Sequence, residues 1–192
     1  LETLASVGVR EVTFLGQNVN SYGRDLRGDD RTDFATLLRA AGRVDGLDRV
    51  RYTSPHPKDM KRDVIAAMAE TPAVCEHLHL PAQSGSTRIL KAMRRTYDRG
   101  RYLDLVQRLR DAIPDLSLTT DLIVGFPGET EEDFAATLSL VEEVQYDGAY
   151  TFLYSPRPGT EAGETLPDDV DHDTKRERMQ RLVELVQRTA AE

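Results

Sequence analysis

Five short apolar stretches alternate with segments of helical spacing along this chain, and that alternation constrains the fold more than any other feature. The predicted strands are Glu11–Leu15, Val50–Thr53, His77–Leu80, the run from Leu116 to Val124, and Gly148–Leu153. Predicted helices follow them: Phe34 to about Arg43, Asp59–Glu70, Thr87–Arg94 with Arg99–Ala112, Glu131–Val144, and about Asp173 to Ala190. Apolar residues recur every three or four positions in the helical segments, as in Tyr102, Leu105, Val106 and Leu109 before the stop at Pro114. Strand followed by helix, repeated, is the pattern of a parallel sheet with helical crossovers, an α/β fold. The charged stretch up to about Thr32 is expected as loop.

The stretch Leu116–Glu132 shows how one unit is built. Leu116 and Leu118 alternate with polar residues and pass into Leu122-Ile123-Val124, the pattern of a strand covered on both faces. Gly125 and Gly128 bracket Phe126-Pro127 and permit a sharp turn and close backbone approach. Thr130 with Asp133 forms an acidic capping box for the next helix. Every strand, moreover, ends in a cluster of turn residues mixed with ligand-type polar ones: Gln17/Asn18, Ser54/His56, Gln83/Ser84, Gly125/Glu129 and Ser155/Arg157. Turn chemistry favours Gly, Pro and Ser but not Gln, His and Arg. In a (β/α) barrel the carboxyl ends of the strands share one face, so these clusters are expected to converge on a binding site.

Composition narrows the chemistry. The 192 residues carry 39% hydrophobic and 30% charged side chains, a globular balance. No apolar run approaches the ~18 residues of a membrane span, and the chain opens on no signal peptide. A single cysteine, Cys75, excludes an internal disulfide and a multi-cysteine metal site within these residues, so the cytoplasm is the expected compartment. A net charge of −8 argues against a nucleic-acid surface spread over the whole protein. Arg88, Lys91, Arg94, Arg95, Arg99 and Arg101 are nevertheless grouped, and read either as a local phosphate patch or as a solvated helix face.

No self-sufficient catalytic set is visible. There is no phosphate loop, no GxGxxG and no nucleophile–base signature. His77 and His79 share one strand face, which suits polar packing better than metal binding without a third ligand. His56, between two prolines, is either a ligand contact or a backbone clamp. Asp121 lies in an apolar strand and needs a partner. Glu129 favours its helix start through the dipole. A well-lined site without its own catalyst points to a cofactor that carries the hard chemistry.

Six stretches in order, Leu15–Gly23, Thr53–Pro57, His79–Ser86, Lys91–Arg95, Thr120–Phe134 and Tyr154–Ala162, resemble the radical-SAM methylthiotransferases over nearly the whole chain. Gln17-Asn18-Val19-Asn20 and the Gln83–Ser86 loop are similar to the tRNA branch, which adds a methylthio group to isopentenyladenosine beside the anticodon. The branches acting on threonylcarbamoyladenosine or on a ribosomal-protein Asp differ at the first loop. A non-catalytic RNA- or protein-interaction module on the same scaffold is the alternative of another class, and a metal-dependent lyase using His77 and His79 a third.

The resemblance implies a partial (β/α) TIM-like barrel of the radical-SAM type lacking its first strand and cluster loop. Residues 1–165 would be the barrel segment, and 166–192 the helix leading towards a tRNA-holding TRAM domain. S-adenosylmethionine would bind through Gln17, Asn18, Gln83, Ser84, Arg95, Ile123, Val124 and Gly125. His56, Arg88, Lys91, Arg94, Tyr154 and Arg157 would face the tRNA. Two 4Fe–4S clusters would have their ligands outside this chain, and an electron donor would be needed to reduce them. The chain is thus expected to be an excerpt, inactive alone, with no catalytic residue and no metal ligand of its own.

Overall fold

In this computed structural model, which describes residues 1–28 and 32–190, five strands alternate with eight α-helices. Residues 29–31 of the expected charged loop lie outside the described residues. The chain divides into two units, Leu1–Leu80 with Leu105–Ser117, and Pro81–Asp104 with Leu118 onward.

In the first unit, helix α1 (Glu2–Ser6) precedes β1 (Glu11–Phe14), which pairs in parallel with β2 (Arg49–Tyr52) in the register Glu11 to Arg49. That register brings Glu11 into ion pairs with Arg49 and, at 3.0 Å, Arg51. Helix α2 (Phe34–Ala41) starts at Asp33, whose carboxylate accepts the Thr36 N–H at 2.8 Å, and buries Phe34, Ala35, Leu38 and Ala41. It packs on α3 (Arg62–Glu70). The Phe34 and Tyr52 rings meet edge-on at 5.0 Å, and the Tyr52 hydroxyl lies 2.8 Å from the Met68 sulfur. Helix α3 starts three residues later than expected because Pro57–Asp59 winds as a 3-10 turn. Strand β3 is His77–His79.

The second unit carries α4 (Thr87–Ala92), β4 (Ser117–Val124), α6 (Glu131–Val144), β5 (Gly148–Leu153), α7 (Glu161–Thr165) and α8 (His172–Thr189). Helix α5 (Arg99–Ala112) contains the division between units and buries its expected stripe, Tyr102, Leu105, Val106 and Leu109. Strands β4 and β5 are parallel, Ile123 opposite Phe152. The core is Leu118, Leu122, Val124, Phe134, Val141, Tyr146 and Leu182.

Two expectations are corrected here, and one short helix is added to those expected. Strand β4 is not covered on both faces: Leu118, Thr120, Leu122 and Val124 are buried, but Thr119, Asp121 and Ile123 are half-buried. Helix α4 ends two residues early because Arg94 adopts φ 56. Its N–H bonds Lys91 O while Arg95 N–H bonds Leu90 O, the paired bonds of a left-handed helix stop. The acidic segment after β5 contains the short helix α7, capped by Thr160, whose hydroxyl accepts the Gly163 N–H at 3.2 Å.

Candidate functional site

The half-buried face of β4 opens onto a cavity of about 730 Å³ in the second unit. Asp121 and Ile123 of β4, Phe152 and Leu153 of β5, and Phe126 in the turn after β4 form one side. Gln83, Met93, Arg94 and Arg95 border it, as do Tyr154, Arg157 and the α7 residues Glu161 and Ala162. Of the expected site residues, Gln83, Arg94, Arg95, Ile123, Tyr154 and Arg157 therefore line one space.

Local backbone explains how several of them reach it. The helix stop at Arg94 turns the chain so that Arg95 follows immediately after the left-handed residue. Gln83 sits at φ 70, a conformation that costs a non-glycine residue on the order of 1–3 kcal/mol. It is held there from both sides of its peptide: its N–H donates to Asp121 O at 2.8 Å, and its carbonyl accepts from Ile123 N–H at 2.9 Å. Strain locked by a strand edge is the kind of outlier that marks a site.

Two polar atoms in this cavity's lining residues are orphaned. The Arg95 Nε and the Tyr154 hydroxyl are buried with no hydrogen-bond partner. A buried unpaired polar group costs about 1–3 kcal/mol, so each calls for a partner that the chain itself does not provide. The Tyr154 ring is fixed edge-on against Phe126 at 5.2 Å, and Lys175 Nζ lies 5.5 Å from its centroid.

The turn behind the cavity is braced by charge. Glu129 accepts the Gly125 N–H at 3.0 Å and pairs with Arg178 at 2.9 Å, both carboxylate and guanidinium being buried. Burial pushes the Glu129 carboxyl above its ordinary value, while the Gly125 N–H and Arg178 oppose that rise. Gly125, at φ 74, has no room for a side chain, since a Cβ would lie 2.4 Å from Lys175 Cγ.

Other expected site residues have structural employment. Val124 is buried in the core and is not part of the cavity wall. Ser84 is buried, its hydroxyl accepting the Ser86 N–H at 3.1 Å and lying 3.4 Å from the Thr137 hydroxyl. Arg88 pairs with Asp133 and donates to Gly128 O at 2.5 Å, tying α4 to the capping box of α6. Burial raises the Asp133 pKa, but Arg88, Ser86 and Thr130 outweigh it and hold the carboxyl well below the usual carboxylate range. Arg94 pairs with Glu161, Arg99 with Glu143 at 2.7 Å, and Arg101 lies 3.7 Å from Asp98. The basic run is thus largely neutralised by carboxylates within the fold; Lys91 is exposed.

In the first unit the loops after β1 and β2 form a separate network around Asp59. The buried carboxylate accepts from Asn18 Nδ2 at 2.9 Å and Ser21 Oγ at 2.8 Å, and pairs with Arg24. Burial opposes its charge, yet these donors together hold its pKa below the ordinary value. Asn20 bonds both backbone groups of His56, at 3.0 and 3.1 Å, and His56 Nδ1 accepts the Lys58 N–H at 3.2 Å, a backbone clamp. Gln17 is exposed, and Asn18 Oδ1 is buried without a partner. His77 and His79 flank Leu78, half-buried. Among the described residues no group of three or more His, Cys, Asp or Glu is placed to hold a metal ion.

Sequence reasoning passed over Phe126, Phe152 and Glu161. Phe152 was detectable as the residue two before Tyr154, next to the end of β5. Glu161 was hidden because α7 is too short to show a period.

The sequence profile of the Radical SAM superfamily matches residues 1–141. The tRNA-2-methylthio-N(6)-dimethylallyladenosine synthase of Acidothermus cellulolyticus is 58% identical over 192 residues, covering 100% of this chain and 38% of that protein. The chain thus spans well under half the length of the curated relatives it matches. Among solved structures, coproporphyrinogen III oxidase from Escherichia coli, a radical SAM enzyme, superposes with a TM-score of 0.65 at 20% identity over 81% of this chain and 36% of that one. The radical S-adenosylmethionine methyltransferase TsrM from Kitasatospora setae, with cobalamin and a [4Fe-4S] cluster bound, gives 0.63 at 19% identity over 84% and 31%. At these identities the structural likeness is one of fold, and it is the radical-SAM fold expected from the motifs.

Proposed function

The chain belongs to the radical SAM superfamily, and from that premise we propose that it is the S-adenosylmethionine-binding barrel segment of a tRNA methylthiotransferase acting on N6-dimethylallyladenosine beside the anticodon. The observation that carries this reading is the cavity in which Arg95 Nε and the Tyr154 hydroxyl are buried and unpaired. The identity over the full chain to a synthase of that name supports the substrate.

The cavity walls fit S-adenosylmethionine. Arg95 would hold its carboxylate, and the apolar face of Ile123 would lie against its adenine. A volume of about 730 Å³ suits a ligand of that size. When bound, it supplies the radical chemistry that side chains cannot. This chain's residues bind and orient: Arg95 holds an anionic group, Gln83 presents a fixed edge beside β4, and Glu129 keeps the Gly125 N–H occupied so that the turn stays in place. Phe126 limits water there.

The residues present do not fit an iron–sulfur cluster. Thiolate ligation needs several cysteines, and Cys75 is the only one in the sequence. No step is derived through a cluster; in this proposal both 4Fe–4S clusters are held by other parts of a longer protein. The partners are tRNA and an electron donor, and the compartment is the cytoplasm. No helix among the described residues is long and apolar enough to cross a membrane.

The test uses the full-length protein, reconstituted anaerobically with iron and sulfide. Wild type is expected to convert dimethylallyladenosine in tRNA to its 2-methylthio derivative, read by nucleoside mass spectrometry. Arg95→Ala is expected to weaken S-adenosylmethionine binding at least about tenfold, the loss of one charge-assisted hydrogen bond. Wild-type protein that makes no methylthio product from this tRNA would falsify the reading.

A further inference from the structure

The cavity is polar on one side and apolar on another, and the apolar side has an exposed aromatic ring. Phe152 is 51% exposed although it lies opposite Ile123 in the β4–β5 register and lines the cavity. Leu166, 38% exposed, and Ala162 and Met93 extend the same lining. Large apolar side chains left open to solvent inside a cavity forgo burial worth roughly 25 cal/mol per Å², so this wall is suited to an apolar group that would cover it. The orphaned Tyr154 hydroxyl, two residues after Phe152, gives this wall a polar anchor as well.

The wall therefore suits an occupant that joins a hydrocarbon group to a polar one. Resting on the function proposed above, we propose that Phe152, with Leu166, is the specificity-determining wall that receives the five-carbon isoprenoid group on N6 of the substrate adenine. Phe152 is then what lets the enzyme tell a prenylated base from a plain one. A hydrophobic pocket discriminates by about 10–200-fold per missing methylene-sized group, and a rigid ring loses little freedom on contact.

The experiment compares synthetic anticodon stem-loops carrying either dimethylallyladenosine or adenosine, with binding to the reconstituted full-length protein read by fluorescence anisotropy. Wild type is expected to prefer the prenylated stem-loop by about tenfold or more. Phe152→Ala is expected to lower that preference to within about threefold by weakening only the prenylated complex. Phe152→Leu, which keeps apolar surface, is expected to retain most of the preference. Affinity for S-adenosylmethionine, measured by equilibrium dialysis, is expected to stay within about twofold in both variants.

If Phe152→Ala keeps the full preference, or weakens both stem-loops equally, the assignment is overturned. If instead S-adenosylmethionine binding falls and the preference stands, Phe152 belongs to the cofactor wall and the assignment is likewise overturned. Failure of the underlying reading shows elsewhere, as absence of methylthio product with wild type.

Discussion

The loop network around Asp59 and the cavity at the ends of β4 and β5 look alike in sequence, each built from strand ends followed by Gly, Ser, Pro and Arg. Their hydrogen bonding differs. Around Asp59, donors from Asn18, Ser21 and Arg24 converge on one buried carboxylate, and Asn20 fastens both backbone groups of His56. In the cavity, Arg95 Nε and the Tyr154 hydroxyl are buried with nothing to bond, and Gln83 is held in a strained conformation. Polar residues that satisfy one another build scaffold. Polar residues held short of a partner await one. Asn18 belongs to both kinds, since its Nδ2 is spent on Asp59 while its Oδ1 is buried and unpaired.

The comparison can be broken by substitution. The largest loss is expected from Arg178→Ala, which strands the buried Glu129 carboxylate behind the cavity turn and should cost about 3–5 kcal/mol in urea denaturation. A cost under about 1 kcal/mol would mean that the turn is not braced by this pair. Asp59→Ala comes next, at about 2 kcal/mol, because the Asn18 and Ser21 donors lose their acceptor while the half-exposed Arg24 regains water. Unchanged stability there would remove the distinction between a self-satisfied network and an open cavity.

A third effect is a pH dependence. The Asp133 carboxyl is held below its unfolded value, so its contribution is fully present above about pH 4 and disappears as pH falls through the acid range. Acid titration of the denaturation midpoint should therefore show the loss, and Asp133→Asn should flatten it. The smallest change in stability is expected from Tyr154→Phe. Removing an unpaired hydroxyl should leave stability within about 1 kcal/mol of wild type, or raise it slightly, while methylthio product formation falls about tenfold. A loss of stability as large as that of Asp59→Ala would show the hydroxyl to be structural.

The fold was largely legible because its signals are local. Apolar periodicity fixed the five strands and their helices, and Thr130 with Asp133 marked the start of α6 as a capping box. What was not legible depends on partners distant in the chain. Arg88 reads as a phosphate contact until Asp133, 45 residues on, is seen to bind it. Ser84 reads as a ligand group until the Thr137 hydroxyl, 53 residues on, is found beside it. The left-handed stop at Arg94 escaped detection because glycine, the usual marker, is absent there. Arg95 and Tyr154 were found by resemblance, and no property of their neighbours in sequence foretold that they would be the unpaired ones.

Helix α8 stands behind the cavity as a load path. Arg178 grips Glu129, which grips the Gly125 N–H; one turn earlier, Lys175 fills the space over Gly125, pairs with Asp168 and reaches the Tyr154 carbonyl at 3.5 Å. Two buried cations on one helix thus hold both the turn after β4 and the residue after β5. A shift of α8 by the width of a single hydrogen bond would therefore be felt at both places at once.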